Sequence, residues 1–503
     1  MPRPVHREAA RGVDPIIPSI PIAIAMPVRA SPRAVSRRVA RASVLMLVLN
    51  AACSLAQERS DPAATTALRP PSASAFWQGE AVPCPEAAQV PDPLHLADAV
   101  DIALCRNPLT RQSWARAKVQ AAEVGIAGSD FYPQVDAAVS LQRSEVRNVP
   151  GSGGRTDLDA SIGVDYLLFD FGGREANIER ARQALLAANW THDSNLQAVL
   201  FGAVGSYFQL YAAQEAVLST RAAEQASLTS LEAARARLKA GNATRADVLQ
   251  AQTAHSQNQL TRTRAEGEAG VALGVLANSL GLPAQQPLRI APPPDLALQR
   301  AGDQAVEELI AAAREQRPDL AAAQAQVRAA RSAIDVARAA TRPSLSAFGS
   351  VGATQSTPGS DPRSGAIGLQ LRIPIFTGYR DSYRVQQARD QLDLELANRD
   401  RLGNDVALDV WTAYQDLRTE RTALDTSADL VASAQENYSV ALGRYRAGVG
   451  TVTDLLNAQS ALADAELRRI QARYRWNVSK AALARAIGVL QPALARSAAG
   501  AAR

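Results

Sequence analysis

The chain has 503 residues, 47% of them hydrophobic and 5% aromatic, with a formal net charge of +5. Eight arginines against Glu8 and Asp14 put a net +6 within residues 1–56, so the rest carries about −1 and a basic, nucleic-acid-binding body is excluded. The four histidines (His6, His95, His192, His255) have no ligand spacing, and there is no P-loop, G-x-S-x-G or H-E-x-x-H, so neither an enzyme nor a bound metal or cofactor is expected.

At the N-terminus, Arg37, Arg38 and Arg41 precede the apolar run Ala42–Leu49, and Ser54-Leu55-Ala56 offers a small-x-small cleavage site. Residues 1–56 therefore read as an export signal, with Met26 as an alternative start. Cys53 offers lipoprotein processing as another route, although Asn50 stands where an aliphatic residue is preferred. Past the signal no run approaches the ~18–20 apolar residues of a spanning helix. Export without such a helix leaves a secreted, periplasmic or outer-membrane protein. Cys84 and Cys105 remain; in an oxidising compartment they read either as a disulfide or as two inert thiols.

Residues 57–93, rich in Pro, Ser and Ala, read as a flexible arm. From Leu94 the pattern is helical to Phe131, broken at Asn107-Pro108 and ended by Tyr132-Pro133. The period then changes to two. Val135, Ala137, Val139 and Leu141, and after a Gly-rich link Leu158, Ala160, Ile162, Val164, Tyr166 and Leu168, alternate with polar or small residues. Strands of this length fit either a membrane barrel or a soluble hairpin with one face on a core. Phe169-Asp-Phe-Gly-Gly173 closes the pair, and Arg174 to Lys239 reads as one helix of roughly 99 Å. A return helix from Ala243 to Ser279 ends at Gly281-Leu-Pro283, so 94–283 forms a first repeat and the Pro-rich 284–302 a linker.

Residues 303–490 repeat this order. Arg317-Pro318 and Arg342-Pro343 match Asn107-Pro108 and Tyr132-Pro133 at an offset of 210; Phe376, Tyr414, Gly448, Asp454, Gln459 and Gly488 match Phe169, Tyr207, Gly241, Asp247, Gln252 and Gly281 at 207. Leu345 to Val351 and Ile367, Leu369, Leu371, Ile373 and Ile375 read as the second strand pair. A heptad, Val410, Leu417, Leu424, Val431, Tyr438 and Tyr445, marks a coiled-coil seam. Residues 491–503 read as a disordered tail. The fold class is thus mainly α with a β contribution: duplicated helix–strand–strand–helix halves with long hairpins.

Four strands cannot close a membrane barrel, which takes about eight, and an open edge is not tolerated in lipid. If the strands span a membrane, several copies must share one barrel. Leu168-Phe-Asp-Phe-Gly-Gly173, Pro374-Ile-Phe376-Thr-Gly378 and the twin Gly…Asp-Val/Leu-Leu…Ala-Gln turns resemble the TolC family of outer-membrane channels over about residues 94–490. The resemblance implies a homotrimer with four strands per protomer in a twelve-stranded barrel, set in outer-membrane lipid of a Gram-negative bacterium. It also implies a periplasmic tunnel met by a periplasmic adaptor and fed by an inner-membrane ABC or RND-type transporter, for efflux or for type I protein secretion of the CyaE kind. It places Gly241, Asn242, Ala243 and Thr244 in one adaptor-docking tip and Gly448, Val449, Gly450 and Thr451 in the other. It places Asp247, Asp454 and Tyr445 at the periplasmic gate, while capping is the alternative role for the two carboxylates and packing for Tyr445. Gly450 stands where TolC itself has a gate arginine and Asn457 where it has a second acidic ring, so a less acidic constriction is expected. The competing reading is a soluble periplasmic coiled-coil adaptor or scaffold, which would keep the hairpins but carry a compact domain of short strands.

Overall fold

The computed structural model describes residues 61, 64–68, 90–145, 154–294, 296, 305–357 and 359–490. The segment read as an export signal, the alternative lipidation residue Cys53, Cys84 and the segment 491–503 lie outside the described residues. In the first half, α1 (Leu96–Arg106) and α2 (Pro108–Ser129) lead to β1 (Gln134–Glu145) and β2 (Gly154–Phe169). The long α3 (Gly173–Lys239) and the return α4 (Arg245–Ser279) follow. The second half gives α5 (Val306–Gln316), α6 (Pro318–Ala339), β3 (Ser344–Thr357), β4 (Arg363–Arg372), α7 (Arg380–Arg446) and α8 (Val452–Ile487). The duplication extends to length: α3 and α7 each have 67 residues.

The first helical stretch of each half breaks where a proline takes the first helical position, the place where its missing N–H costs nothing. Asn107 caps α2 through Leu109 N–H (2.9 Å) and also donates to Ser279 O (2.9 Å), tying the break to the end of α4. Arg317 holds the equivalent break through Asp319 and, at 2.8 Å, Asp409 of α7. At both joints a glycine comes in close. A Cβ on Gly281 (φ +69°) would lie 2.6 Å from Arg106 O, and one on Gly488 (φ +90°) 3.1 Å from Gln316 O.

The sheet has order β1-β2-β3-β4, antiparallel throughout, with β1 and β4 as free edges. Register puts Val135, Val164, Gly349 and Ile367 in one row and Ala137, Ile162, Val351 and Gly365 in the next, all on one face. That apolar face is uncovered: Ile367 is 93% exposed and Leu141 73%. The opposite face holds Ser140, Asp159 and Thr354, and then Gln142, Asp157 and Ser356. On it Thr354 Oγ1 donates to Asp159 (2.7 Å) and Ser356 Oγ to Asp157 (2.6 Å).

Two expectations are corrected. β4 stops at Arg372, so Ile373 and Ile375 are not in the ladder; Pro374 has no N–H to give and forces the chain out. The return helix starts at Arg245 rather than Ala243, because Thr244 takes the cap. Residues 284–302, read as a linker, include a packed stretch. Leu94 N–H donates to Arg289 O (2.7 Å), Ala291 N–H to Leu94 O (2.9 Å), and Leu288, Ala291 and Leu296 are buried. Within the stretch read as a flexible arm, Thr65–Leu68 forms a 3-10 turn against α2. Tyr207, fully buried, sets its hydroxyl 2.8 Å from Leu94 O and 2.7 Å from Ala291 O, anchoring both strands of this small bridge to α3. Around it α1, α3, α4 and α8 build the larger core. A second core of α5, α7 and α8 repeats it around Leu309, Val406, Val410 and Leu483.

Candidate functional site at the hairpin tips and the sheet

At the far end of α3 from the sheet the chain reverses within a few residues. Gly241 takes φ +78°, and Asn242 N–H donates back to Arg237 O (2.8 Å), closing the helix as a left-handed cap requires. The second tip does the same with Gly448 at φ +79° and Val449 N–H on Arg444 O (3.0 Å). Thr244 and Thr451 then open the return helices. Thr244 Oγ1 accepts from Asp247 N–H (3.2 Å), while Asp247 accepts from Thr244 N–H (2.7 Å) and its hydroxyl (2.9 Å). Thr451 and Asp454 form the same box at 3.1 and 3.2 Å. Both carboxyls are held below the usual carboxylate range. For Asp247 the main cause is the Thr244 N–H, for Asp454 the Thr451 hydroxyl, with Arg237 and Arg444 adding to each.

Asp247 and Asp454 are therefore ionised capping residues in this protomer. Tyr445 is 7% exposed and packs with Tyr438, Leu442, Val452 and Leu455, which is where the heptad puts it. Gly450 is confined: a Cβ there would meet Tyr445 N at 3.0 Å, so the arginine of the related pattern would not enter this turn without displacing backbone. Asn457 is exposed one turn further on.

The two tips touch. Arg237 Nη1 donates to Tyr445 O (2.9 Å), and its guanidinium lies 4.5 Å from the Tyr445 ring centroid. Thr453 Oγ1 donates to Gln250 (3.0 Å), and Gln459 Nε2 to Ser230 (2.8 Å). Sequence reasoning missed Arg237. Its signal was there, since both halves read Arg-x-x-x-Gly at 237–241 and 444–448, but which arginine crosses to the other hairpin depends on tertiary approach.

Cys105 on α1 is disulfide-bonded. Among the described residues no group of His, Cys, Asp and Glu is arranged to hold a metal ion, and no helix is long and apolar enough to cross a membrane.

The family model described as outer membrane efflux protein matches residues 99–282 and 309–489, one segment in each half. Protein CyaE of Bordetella pertussis is 34% identical over 394 residues, covering 77% of this chain and 82% of that protein. The outer membrane efflux protein BepC of Brucella suis is 26% identical over 396 residues, 78% of this chain and 85% of that one. Among solved structures, the Campylobacter jejuni CmeC outer membrane channel shares the fold with a TM-score of 0.68 at 19% identity, covering 78% of this chain and 86% of its own. VceC from Vibrio cholerae gives 0.67 at 20% identity, with 78% and 96% covered. None of these likenesses is to a soluble adaptor.

Proposed function

The chain belongs to the outer membrane efflux protein family, and from that premise we propose that three copies close one barrel in the outer membrane and continue as a periplasmic exit duct. The observation that carries this is the sheet: two unpaired edges and one uncovered apolar face on four strands. In lipid each free edge must find a partner, and β4 of one copy and β1 of the next are the available ones. Three copies give twelve strands, within the range of closed barrels. The apolar rows then face lipid, while Asp157, Asp159, Ser356 and Thr354 face the pore.

The 67-residue α3 and α7, each about 100 Å long, carry the wall from the barrel to the tips. Docking of a periplasmic adaptor at Gly241–Thr244 and Gly448–Thr451 couples the duct to an inner-membrane transporter of the ABC or RND type, which supplies the energy and selects the cargo. The channel itself catalyses no reaction. Asp247, Asp454 and Tyr445 lie at the periplasmic constriction. With Gly450 and Asn457 beside them, closure rests on tip-to-tip contacts such as Arg237 on Tyr445 rather than on stacked acidic rings.

Purified protein is expected to run as a heat-dissociable trimer and to give discrete conductance steps in planar bilayers. A monomer without conductance would refute the reading. Deleting the gene and comparing secreted proteins with drug sensitivity assigns the cargo: loss of a secreted protein at unchanged drug tolerance marks secretion, and the reverse marks efflux.

A further inference from the structure

We propose that the cavity where α3, α7 and α8 meet the packed linker binds a small aromatic carboxylate that also carries a hydroxyl. The cavity has a volume of about 290 Å³, at the lower end of the ~300–1,000 Å³ of small-ligand sites. Phe208, Tyr211 and Glu215 come from one face of α3, and Arg469, Arg473 and Asn477 from one face of α8. Leu424 of α7 and Pro293 of the linker complete the wall.

The inner end asks for a donor. Asn477 is 3% exposed, and its Nδ2 donates to Arg473 O (3.0 Å), which fixes the amide, since turned over it would set oxygen against oxygen. Its Oδ1 is left without a partner among the described residues. A bare buried acceptor is destabilising, and a hydroxyl on a guest removes that cost. The middle is apolar and aromatic: Phe208, Leu424, Ile470 and Tyr474, whose hydroxyl burial keeps protonated. At the outer end Arg469 and Arg473 are exposed and form no salt bridge among the described residues. Glu215, beside Tyr211, offsets one of them, so two guanidinium groups less one carboxylate leave the mouth net positive.

This lining is not owed to the duplication. The residues 207 positions before Arg473, Tyr474 and Asn477 are Glu266, Gly267 and Gly270, and those 207 after Tyr211 and Glu215 are Arg418 and Thr422. Packing that both halves need recurs at that offset, as Tyr207 and Tyr414 do; the bare amide beneath two arginines does not. Because α3 belongs to the first hairpin and α7 and α8 to the second, a guest here touches both and by mass action favours their packed arrangement.

The test uses the full-length protein in lipid nanodiscs and isothermal titration with three probes of one skeleton: para-hydroxycinnamate, cinnamate, which lacks the hydroxyl, and para-hydroxycinnamyl alcohol, which lacks the charge. Para-hydroxycinnamate is expected to bind at one site per chain, with cinnamate and the alcohol each weaker by roughly threefold to tenfold. Asn477→Leu keeps the volume and is expected to erase the difference between the two acids. Arg469→Gln with Arg473→Gln, both at exposed positions, is expected to erase the difference between acid and alcohol at an unchanged melting temperature. Should Asn477→Leu not fold, the arginine variant and the three probes on the unaltered protein still decide. Equal affinity of the two acids for the unaltered protein overturns the donor role of the hydroxyl, and equal affinity of acid and alcohol overturns the anionic class. No binding at millimolar concentration, or binding that neither variant changes, overturns the site itself.

Discussion

Among single residues, Asp193 and His192 on α3 are neighbouring titratable groups that burial holds toward the neutral form. His192 is 1% exposed, with Nδ1 2.7 Å from Ser113 Oγ and Nε2 without a partner in the described residues. Burial pulls its pKa down to about 4, so it stays neutral near pH 7. Asp193, 6% exposed, is pushed up to about 7 by the same loss of solvent, and no hydrogen bond or ion pair engages its side chain among the described residues. A carboxyl whose folded pKa is raised binds a proton more readily folded than unfolded, so stability falls as pH rises from about 4 to about 7 and the full penalty applies above that. Asp193→Asn removes the penalty. It is expected to raise the melting temperature clearly at pH 8 and hardly at pH 5; an equal shift at both would refute the burial argument. The tip carboxylates work in the opposite sense. Depressed in the folded state, Asp247 and Asp454 stabilise their caps in full above the ordinary carboxylate range, and that stabilisation is lost as pH falls from there through their lower folded values. Faster amide exchange at Asp247 and Asp454 in Thr244→Ala and Thr451→Ala, confined to the first turns of α4 and α8, is the expected sign.

At the scale of elements, the repeat separates two kinds of glycine. Gly241 and Gly281 both have positive φ, +78° and +69°, but a Cβ on Gly241 meets nothing within 4 Å while one on Gly281 runs into the Arg106 carbonyl. Gly241→Ala is expected to cost the conformational term alone, about 1–2 kcal/mol. Gly281→Ala must also push the α1–α2 joint away from α4, adding about 1–3 kcal/mol of overpacking, so its melting temperature is expected to fall well below that of Gly241→Ala. Both positions were legible as helix stops, because a Gly after a periodic run has few other uses. Which of them touches backbone was not, since that depends on residues 172 apart in sequence, Asn107 and Ser279, meeting. The strand pairs were legible from alternation. The end of β4 was misread because Ile373 and Ile375 kept the period of two past Pro374, where the ladder had lost its donor. The Leu94–Ile290 bridge escaped notice because a parallel pairing across the whole first half leaves no local pattern.

For the whole molecule, the shared barrel turns the two faces of one sheet into two different experiments. Ile367 lies on the apolar face and Ser350 on the opposite one, one residue of register apart: Gly349 pairs with Ile367, and Ser350 with Ala366. If copies join edge to edge, Ile367→Arg sets a cation in hydrocarbon at a cost of about 2–4 kcal/mol near the bilayer midplane, multiplied by the number of copies. Heat-resistant trimer in outer-membrane fractions is then expected to drop sharply. Ser350→Arg points into water, so trimer yield is expected to be unchanged while single-channel conductance falls and the pore turns more anion-selective. A soluble sheet with its apolar face on a core differs in the readout: Ser350→Arg would have no electrical effect at all, and Ile367→Arg would unfold the protein in solution rather than deplete a membrane trimer. That several copies share one barrel was legible from strand number once the strands are taken to span a membrane, because four strands leave edges that lipid forbids. The chemistry of the tips was less so: sequence left Asp247 and Asp454 with two alternative roles, and only the hydrogen bonds to Thr244 and Thr451 show each carboxylate closing the first turn of its return helix.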